Sequence, residues 1–234
     1  MYNFVFYHEN VNTSLFHDFI LINNSECKEY DHRIWSELAG YNLLLNKLLT
    51  DKDNNGNLKY KNDDWISLSH YRRKLNQVNN FITITQPLIS ETTIAKQYSK
   101  FHNIEDLKLA IDAVKEEYPN LLSSFIEILN SNILIPYTIG IMPVAQFKDY
   151  ITFLFKILNN VYKKIGTNTY EERLEYISRH PEWYANKQNS EPKYQARIEA
   201  FLSERLSTLY WLEIAKYYPV AWSNIILLEK NQKI

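Results

Sequence analysis

The residues best suited to chemistry in this chain stand together at the end of a short apolar run. Asp63-Asp64-Trp65-Ile66-Ser67-Leu68-Ser69 leads directly into His70-Tyr71-Arg72-Arg73. In open α/β sheets, ligands bind at the carboxyl ends of the strands, which is where such a run delivers its polar residues. Two adjacent guanidinium groups can neutralise a diphosphate and donate several hydrogen bonds in fixed geometry, a task ammonium performs less well. His70 can move a proton near neutral pH or bond a metal. The same four residues would also suit a solvated strand end whose arginines pair with surface acids, and spacing alone does not separate the two readings.

The chemistry is narrowed by what is missing. The four glycines, Gly40, Gly56, Gly140 and Gly166, are too far apart for a Walker-type phosphate loop or a dinucleotide fingerprint. There is no His-Glu-x-x-His, no Gly-x-Ser-x-Gly and no Cys/His pattern of a nucleobase deaminase. Asp51-Lys52-Asp53-Asn54-Asn55-Gly56 imitates the start of a calcium loop, but position twelve is Asn62 in place of a bidentate Glu, so a surface turn is expected.

A βα pattern must position the candidate turn. Tyr2 to Tyr7 and Phe19 to Ile22 read as strands, and Ile34, Leu38, Tyr41, Leu45 and Leu48 recur at helical spacing to about Leu49. After the polar loop from Asp51 to Asn62 comes the strand that carries the turn, and a further strand spans Phe81 to Thr85. Asn103 can cap a helix running to Pro119, with Asp106 three residues on, and Asn120 can cap the next through Leu129. Ile133 to Met142 reads as extended, Ala145 to Lys164 as a long amphipathic helix, and Tyr194 to Trp211 as another helix. A strand-like run closes the chain near Val220 to Leu228, while Tyr170 to Asn189, charged and aromatic without firm periodicity, reads as a surface insertion. Strand, helix, loop, strand in this order points to a parallel α/β sheet.

With 234 residues, 45% of them hydrophobic, the chain can bury a sizeable core, and one domain spanning 1–234 is the default. A net charge of -1 provides no global field for nucleic acid or anionic membrane. The lone Cys27 rules out an intrachain disulfide and fits a reducing compartment. Neither a signal peptide nor an apolar run of spanning length is seen, so no stable membrane insertion and a cytoplasmic location are expected.

Several stretches resemble, in order, the bacterial and phage glycosyltransferase-like proteins grouped as a domain of unknown function, DUF4422. They are Ser36-Glu37-Leu38, Trp65 to Arg73, Gln97 to Leu107, Ile139-Gly140-Ile141-Met142, and Arg197 to Leu206 with Glu204-Arg205-Leu206 at its end. The resemblance implies a GT-A-like (Rossmann-like) α/β fold, with a central mostly parallel sheet flanked by helices and a helix-rich C-terminal half. It also implies a hexosyl- or pentosyltransferase that moves a sugar from a nucleotide-sugar donor, as co-substrate, to a hydroxyl acceptor, most often a growing capsular or O-antigen glycan.

Where GT-A enzymes usually keep an Asp-x-Asp metal site, this chain has His70-Tyr71-Arg72, so no metal ligand is assigned and divalent-metal dependence is left open. Arg72, Arg73, Tyr71 and Glu37 are expected to bind the donor, Glu204 to serve as base with His70 ordering the pocket, and His102 and Arg205 to meet the acceptor. Plainer roles stay open: Glu204 in an ion pair with Arg197 or Arg205, Glu37 as a helix-terminus acid, His102 as a packed residue. Two other functions are carried forward. One is a phage transferase acting on hydroxymethylated bases in DNA, which needs a basic patch including Lys61 or Lys74 beside His70. The other is a nucleotide-sugar-binding module without turnover.

Overall fold

The computed structural model describes residues 1–8, 11, 13, 16–76, 78, 80–185, 187 and 189–228. In chain order the first half holds β1 (Tyr2–Tyr7), β2 (Ile20–Asn23), α1 (His32–Trp35), α2 (Glu37–Thr50), β3 (Trp65–His70), β4 (Arg73–Leu75), β5 (Ile82–Thr85), β6 (Leu88–Ile89), α3 (Ile94–Phe101) and α4 (Ile104–Glu117). The second half holds α5 (Leu122–Asn130), β7 (Ile133–Leu134), β8 (Gly140–Pro143), α6 (Val144–Ile165), α7 (Tyr170–Arg179), α8 (Pro181–Tyr184), α9 (Pro192–Gln195), α10 (Ile198–Ala215), β9 (Val220–Ser223) and β10 (Ile225–Leu227).

The main sheet runs β2-β1-β3-β8-β5-β9, with parallel pairs at β1/β2, β1/β3 and β5/β9 and antiparallel pairs on both sides of β8. Five of these six strands therefore share a direction. A tight turn after β3 returns as β4, with His70 opposite Arg73, and β10 pairs with β4.

Strand alternation and register decide what each face carries. Phe4 is level with Leu68, Leu68 with Gly140, and Gly140 with Ile84, while Phe6 is level with His70. This apolar face is covered by α2 and α6. The opposite face presents Ser67, Ser69, Thr83 and Thr85, small polar residues that are buried together with Val5 and Ile141 beside them. The helix α6 buries Val144, Phe147, Ile151, Leu154, Leu158 and Val161 at spacings of three and four. At roughly 1.5–3 kcal/mol per fully buried side chain, that stripe fixes the helix far more strongly than its propensity does.

Gly40 sets the seat of α2. A Cβ built there would stand 2.1 Å from Asn24 Oδ1 and 2.7 Å from Phe6 Cδ1, so only glycine lets the helix come this close to β1.

The structure departs from the sequence-based expectations in several places. The first long helix is two helices joined at Ser36, a shared cap with φ 53° and ψ -126°. Asn103 does cap α4 by accepting from the Glu105 N–H, but Asp106 turns inward and accepts from the Tyr98 hydroxyl. Asn120 does not cap α5; it lies in a 3₁₀ turn, and Leu121 stands at the cap with no side-chain bond. The segment expected to be a surface insertion forms α7 and α8 and buries Arg173 and Ile177, positions 186 and 188 lying outside the described residues. Arg173 bonds both carboxylate oxygens of Glu199 on α10, and both side chains are fully buried. The closing strand is two strands that pair with β5 and β4. Among the described residues, no helix is long and apolar enough to cross a membrane.

Candidate functional site

In β3, alternation places Ile66, Leu68 and His70 on the face that α2 covers. That helix starts at the carboxyl edge of the parallel strands, and its first residue, Glu37, meets His70 with Oε1 3.0 Å from Nε2. His70 Nδ1 accepts the Arg72 backbone N–H at 3.2 Å. This places the ring proton on Nε2, the nitrogen that faces Glu37. His70 is only 6% exposed, and burial first, then Arg73 and Arg72, depress its pKa to about 3. The ring is neutral at all ordinary pH values.

Glu37 lines a cavity of about 300 Å³ walled by the α1/α2 joint, α3, the loop after β7 and the stretch from Tyr194 to Arg205. Burial raises its carboxyl pKa to about 7, with Arg73 opposing and Glu204 reinforcing. The charge also sits at a helix N-terminus, which favours the ionised form and works against desolvation.

Of the remaining expected residues, Glu204, Arg205 and His102 line the same cavity, and Tyr71, Arg72 and Arg73 do not. Glu204 lines it but has both oxygens engaged: Oε1 accepts the Tyr137 N–H at 3.2 Å and Oε2 accepts Arg205 Nη1 at 3.0 Å. Arg205 also donates to Gln97 Oε1 and the Phe201 carbonyl and is buried, so its guanidinium belongs to the wall. His102 lines the cavity too, buried, stacked 3.8 Å from Phe201 and bonded through Nδ1 to Gln195 Oε1. Burial lowers its pKa to about 3. Tyr71 stands apart, with its hydroxyl 3.2 Å from His8 Nε2 and the Arg72 guanidinium 5.0 Å from its ring centre.

Arginine pairing distinguishes this region from the rest of the molecule. Of the seven arginines, Arg33, Arg173, Arg179 and Arg205 are each matched by a carboxylate. The other three, Arg72, Arg73 and Arg197, have no ion pair among the described residues, and all three act on the Glu37 carboxyl. Arg73 lies 4.1 Å over the Tyr137 ring, and Arg197 lies 4.7 Å over Tyr194 and 5.3 Å over Phe201. Arg197, Tyr194, Phe201 and Tyr137 were not expected as site residues. The aromatic-basic spacing around Arg197 was the available signal, but it is indistinguishable in sequence from a helix start.

The only two non-glycine residues with positive φ among those described, Ser36 and Tyr137, both line this cavity. Conformations of this kind cost on the order of 1–3 kcal/mol and cluster at functional sites.

A divalent cation does not suit the strand end. The donor set there is two guanidinium groups and an imidazole with both nitrogens committed, and no three His, Cys, Asp or Glu side chains converge among the described residues. The local charge fits an anion better.

Residues 80–180 match the family model described as "Domain of unknown function (DUF4422)". Among solved structures, the apo structure of the WbbM bifunctional glycosyltransferase is similar, with a TM-score of 0.63 and 15% identity over 98% of this chain and 45% of that chain. The chain thus spans less than half the length of the structure it matches. No curated protein matches it in sequence. At such low identity the likeness is one of fold, and it bears out the expected GT-A-like architecture and mostly parallel sheet. The DUF4422 resemblance drawn from motifs is borne out over 80–180, whereas Glu37, His70, Arg72, Arg73 and Glu204 lie outside that stretch.

Proposed function

We propose, for a chain with a glycosyltransferase fold, that the cavity beside His70 binds a nucleotide-sugar donor and passes its sugar to a hydroxyl acceptor. The carrying observation is that Arg72, Arg73 and Arg197, which all act on the Glu37 carboxyl, have no ion pair among the described residues while every other arginine has one, and that Arg197 lines the cavity with Glu37. Unpaired guanidinium groups held over aromatic rings are ready to receive a diphosphate without first breaking an ion pair. In the transfer step they stabilise charge as it builds on the departing diphosphate.

In this reading Arg72 and Arg73, with Tyr71 beside them, hold the diphosphate, and no metal-dependent step is invoked. The half-buried rings of Tyr194 and Phe201 offer a stacking surface for a sugar or base. His102 and Arg205 shape the wall on the acceptor side. A growing surface glycan is the acceptor class that the family resemblance supports, with either a hexose or a pentose transferred in the cytoplasm, where sugar nucleotides are available.

Calorimetry with UDP-glucose, UDP-galactose, UDP-N-acetylglucosamine, dTDP-rhamnose and GDP-mannose tests the assignment. We expect micromolar binding of at least one donor, weakened about tenfold or more by Arg73→Ala or Arg72→Ala with the melting temperature retained. Equal affinity in both variants removes the diphosphate assignment. Donor binding by the unaltered protein, with no turnover on any acceptor, favours a binding module.

A further inference from the structure

We propose that Glu37 is the base that takes the proton of the acceptor hydroxyl, and that Glu204 is a positioning residue. This rests on the transferase reading above and assigns the catalytic carboxylate within it.

The two carboxylates at the cavity are held very differently. Glu204 has one oxygen on the Tyr137 N–H and the other on Arg205, which is itself tied to Gln97 and the Phe201 carbonyl. Each Glu204 oxygen thus already accepts one hydrogen bond from the protein, which lowers its basicity and fixes it to the loop at Tyr137, and with it the ring on which Arg73 rests. Glu37 has Oε1 3.0 Å from His70 Nε2, and its Oε2 makes no hydrogen bond among the described residues. Its side chain keeps 27% exposure, on the cavity.

The supports of Glu37 are also those of an aimed group. His70 is locked in one tautomer by the Arg72 N–H, so the nitrogen it turns to Oε1 at 3.0 Å carries a proton and does not compete for one. The backbone at Ser36 turns sharply at φ 53° to put Glu37 on the first position of α2, and the other positive-φ residue among those described, Tyr137, lines the same cavity. The carboxyl's raised pKa, about 7, adds proton affinity suited to the task. Burial raises it, Arg73, Arg72 and Arg197 lower it and Glu204 raises it, while His70 on β3, Tyr41 on its own helix and Tyr150 on α6 are the other titratable groups near the carboxyl.

In the step, the acceptor oxygen bonds to the anomeric carbon as its proton passes to Glu37 Oε2. The bond from that carbon to the donor phosphate oxygen breaks, and its electron pair stays on the diphosphate beside Arg72 and Arg73. A single displacement of this kind inverts the anomeric configuration.

The test compares the unaltered protein with Glu37→Gln and Glu204→Gln, using the five sugar nucleotides above, octyl glycosides and water as acceptors, and nucleoside diphosphate release as readout. Gln at 37 can still accept from His70, so the fold and the donor site are expected to hold, with donor affinity within about threefold. Turnover of that variant is expected to fall by at least about 100-fold at pH 8. The rise in rate through about pH 7 is expected in the unaltered protein, shifted to lower pH in Glu204→Gln because that charge reinforces the raised value, and absent in Glu37→Gln.

The assignment is overturned if Glu37→Gln keeps that pH limb, if it loses donor affinity in step with Arg73→Ala, or if the product retains configuration. Binding without turnover by the unaltered protein also overturns it while leaving the donor site standing. Failure of the unaltered protein to bind or turn over any of the donors defeats the transferase reading, and this assignment with it.

Discussion

His70 Nε2 stands 3.0 Å from Glu37 Oε1, and its other ring nitrogen accepts the backbone N–H of Arg72. A buried neutral imidazole thereby links the basic turn to the first residue of α2. Anything that charges His70 or moves α2 acts on the cavity carboxylate.

Acid is the first perturbation to consider. His70 and His102 both have folded pKa values of about 3, below the ordinary value of 6.5, because burial penalises the imidazolium. A depressed folded pKa contributes stability that is complete above 6.5 and lost as pH falls through 3. The melting temperature should therefore drop steadily between pH 6.5 and 4, and His70→Asn, which cannot charge, should remove part of the drop. A flat profile over that range in the unaltered protein would sink the argument.

Asp106 works in the opposite direction. Burial lifts its pKa to about 8, the Tyr98 hydroxyl bonds Oδ2, and Oδ1 has no partner. A raised folded pKa gives stability that is complete below the ordinary 3.8 and lost as pH rises through 8. Asp106→Asn should match the unaltered protein near pH 3.8, pull ahead as pH rises, and melt several degrees higher at pH 9. Equal melting temperatures at pH 9 would show that the carboxyl ionises there without cost.

How much of this was legible in the sequence differs from residue to residue. Alternation in β3 put His70 on the same face as Leu68, and the helical spacing of Leu38, Tyr41, Leu45 and Leu48 placed α2, so the two partners of the central contact could be named. The break at Ser36 could not be read, because a serine at φ 53° has no local signal of glycine or proline and is imposed by the packing around it. Arg173 was equally hidden. Its charge and the surrounding Glu171, Glu172 and Glu175 suggest a solvated face, whereas its partner Glu199 lies on another helix. Long-range pairing leaves no periodic trace, and for the same reason the missing partners of Arg72, Arg73 and Arg197 emerged only in three dimensions.

The Arg173 pair anchors α7 to α10. Its guanidinium donates to both oxygens of Glu199, to Thr167 Oγ1 and to the Ala196 carbonyl, with neither partner exposed. Removing one member of a buried pair leaves a bare charge, at about 3–5 kcal/mol. Arg173→Met should lower the melting temperature by about 10 °C or more, and the double change with Glu199→Leu should recover much of it. A double variant no better than the single one would mean that hydrogen bonding to Thr167 and Ala196, rather than the charge, holds the helix.

Ser36 offers a separation of stability from activity. Its φ of 53° and ψ of -126° mirror the extended region, a conformation that glycine adopts freely and that costs an L-residue on the order of 1–3 kcal/mol. Its side chain makes no capping bond to α2, so Ser36→Gly gives up no hydrogen bond there. Glycine loses more chain entropy on folding, about 0.5–1 kcal/mol, which offsets part of the relief. The expected net effect is a melting temperature unchanged or raised by a few degrees. The same relief releases the joint that aims Glu37 at the cavity, so turnover should fall several-fold while donor affinity, carried by Arg72 and Arg73, stays within about twofold. A variant that is both more stable and fully active would mean that the strained joint has no part in placing the carboxylate.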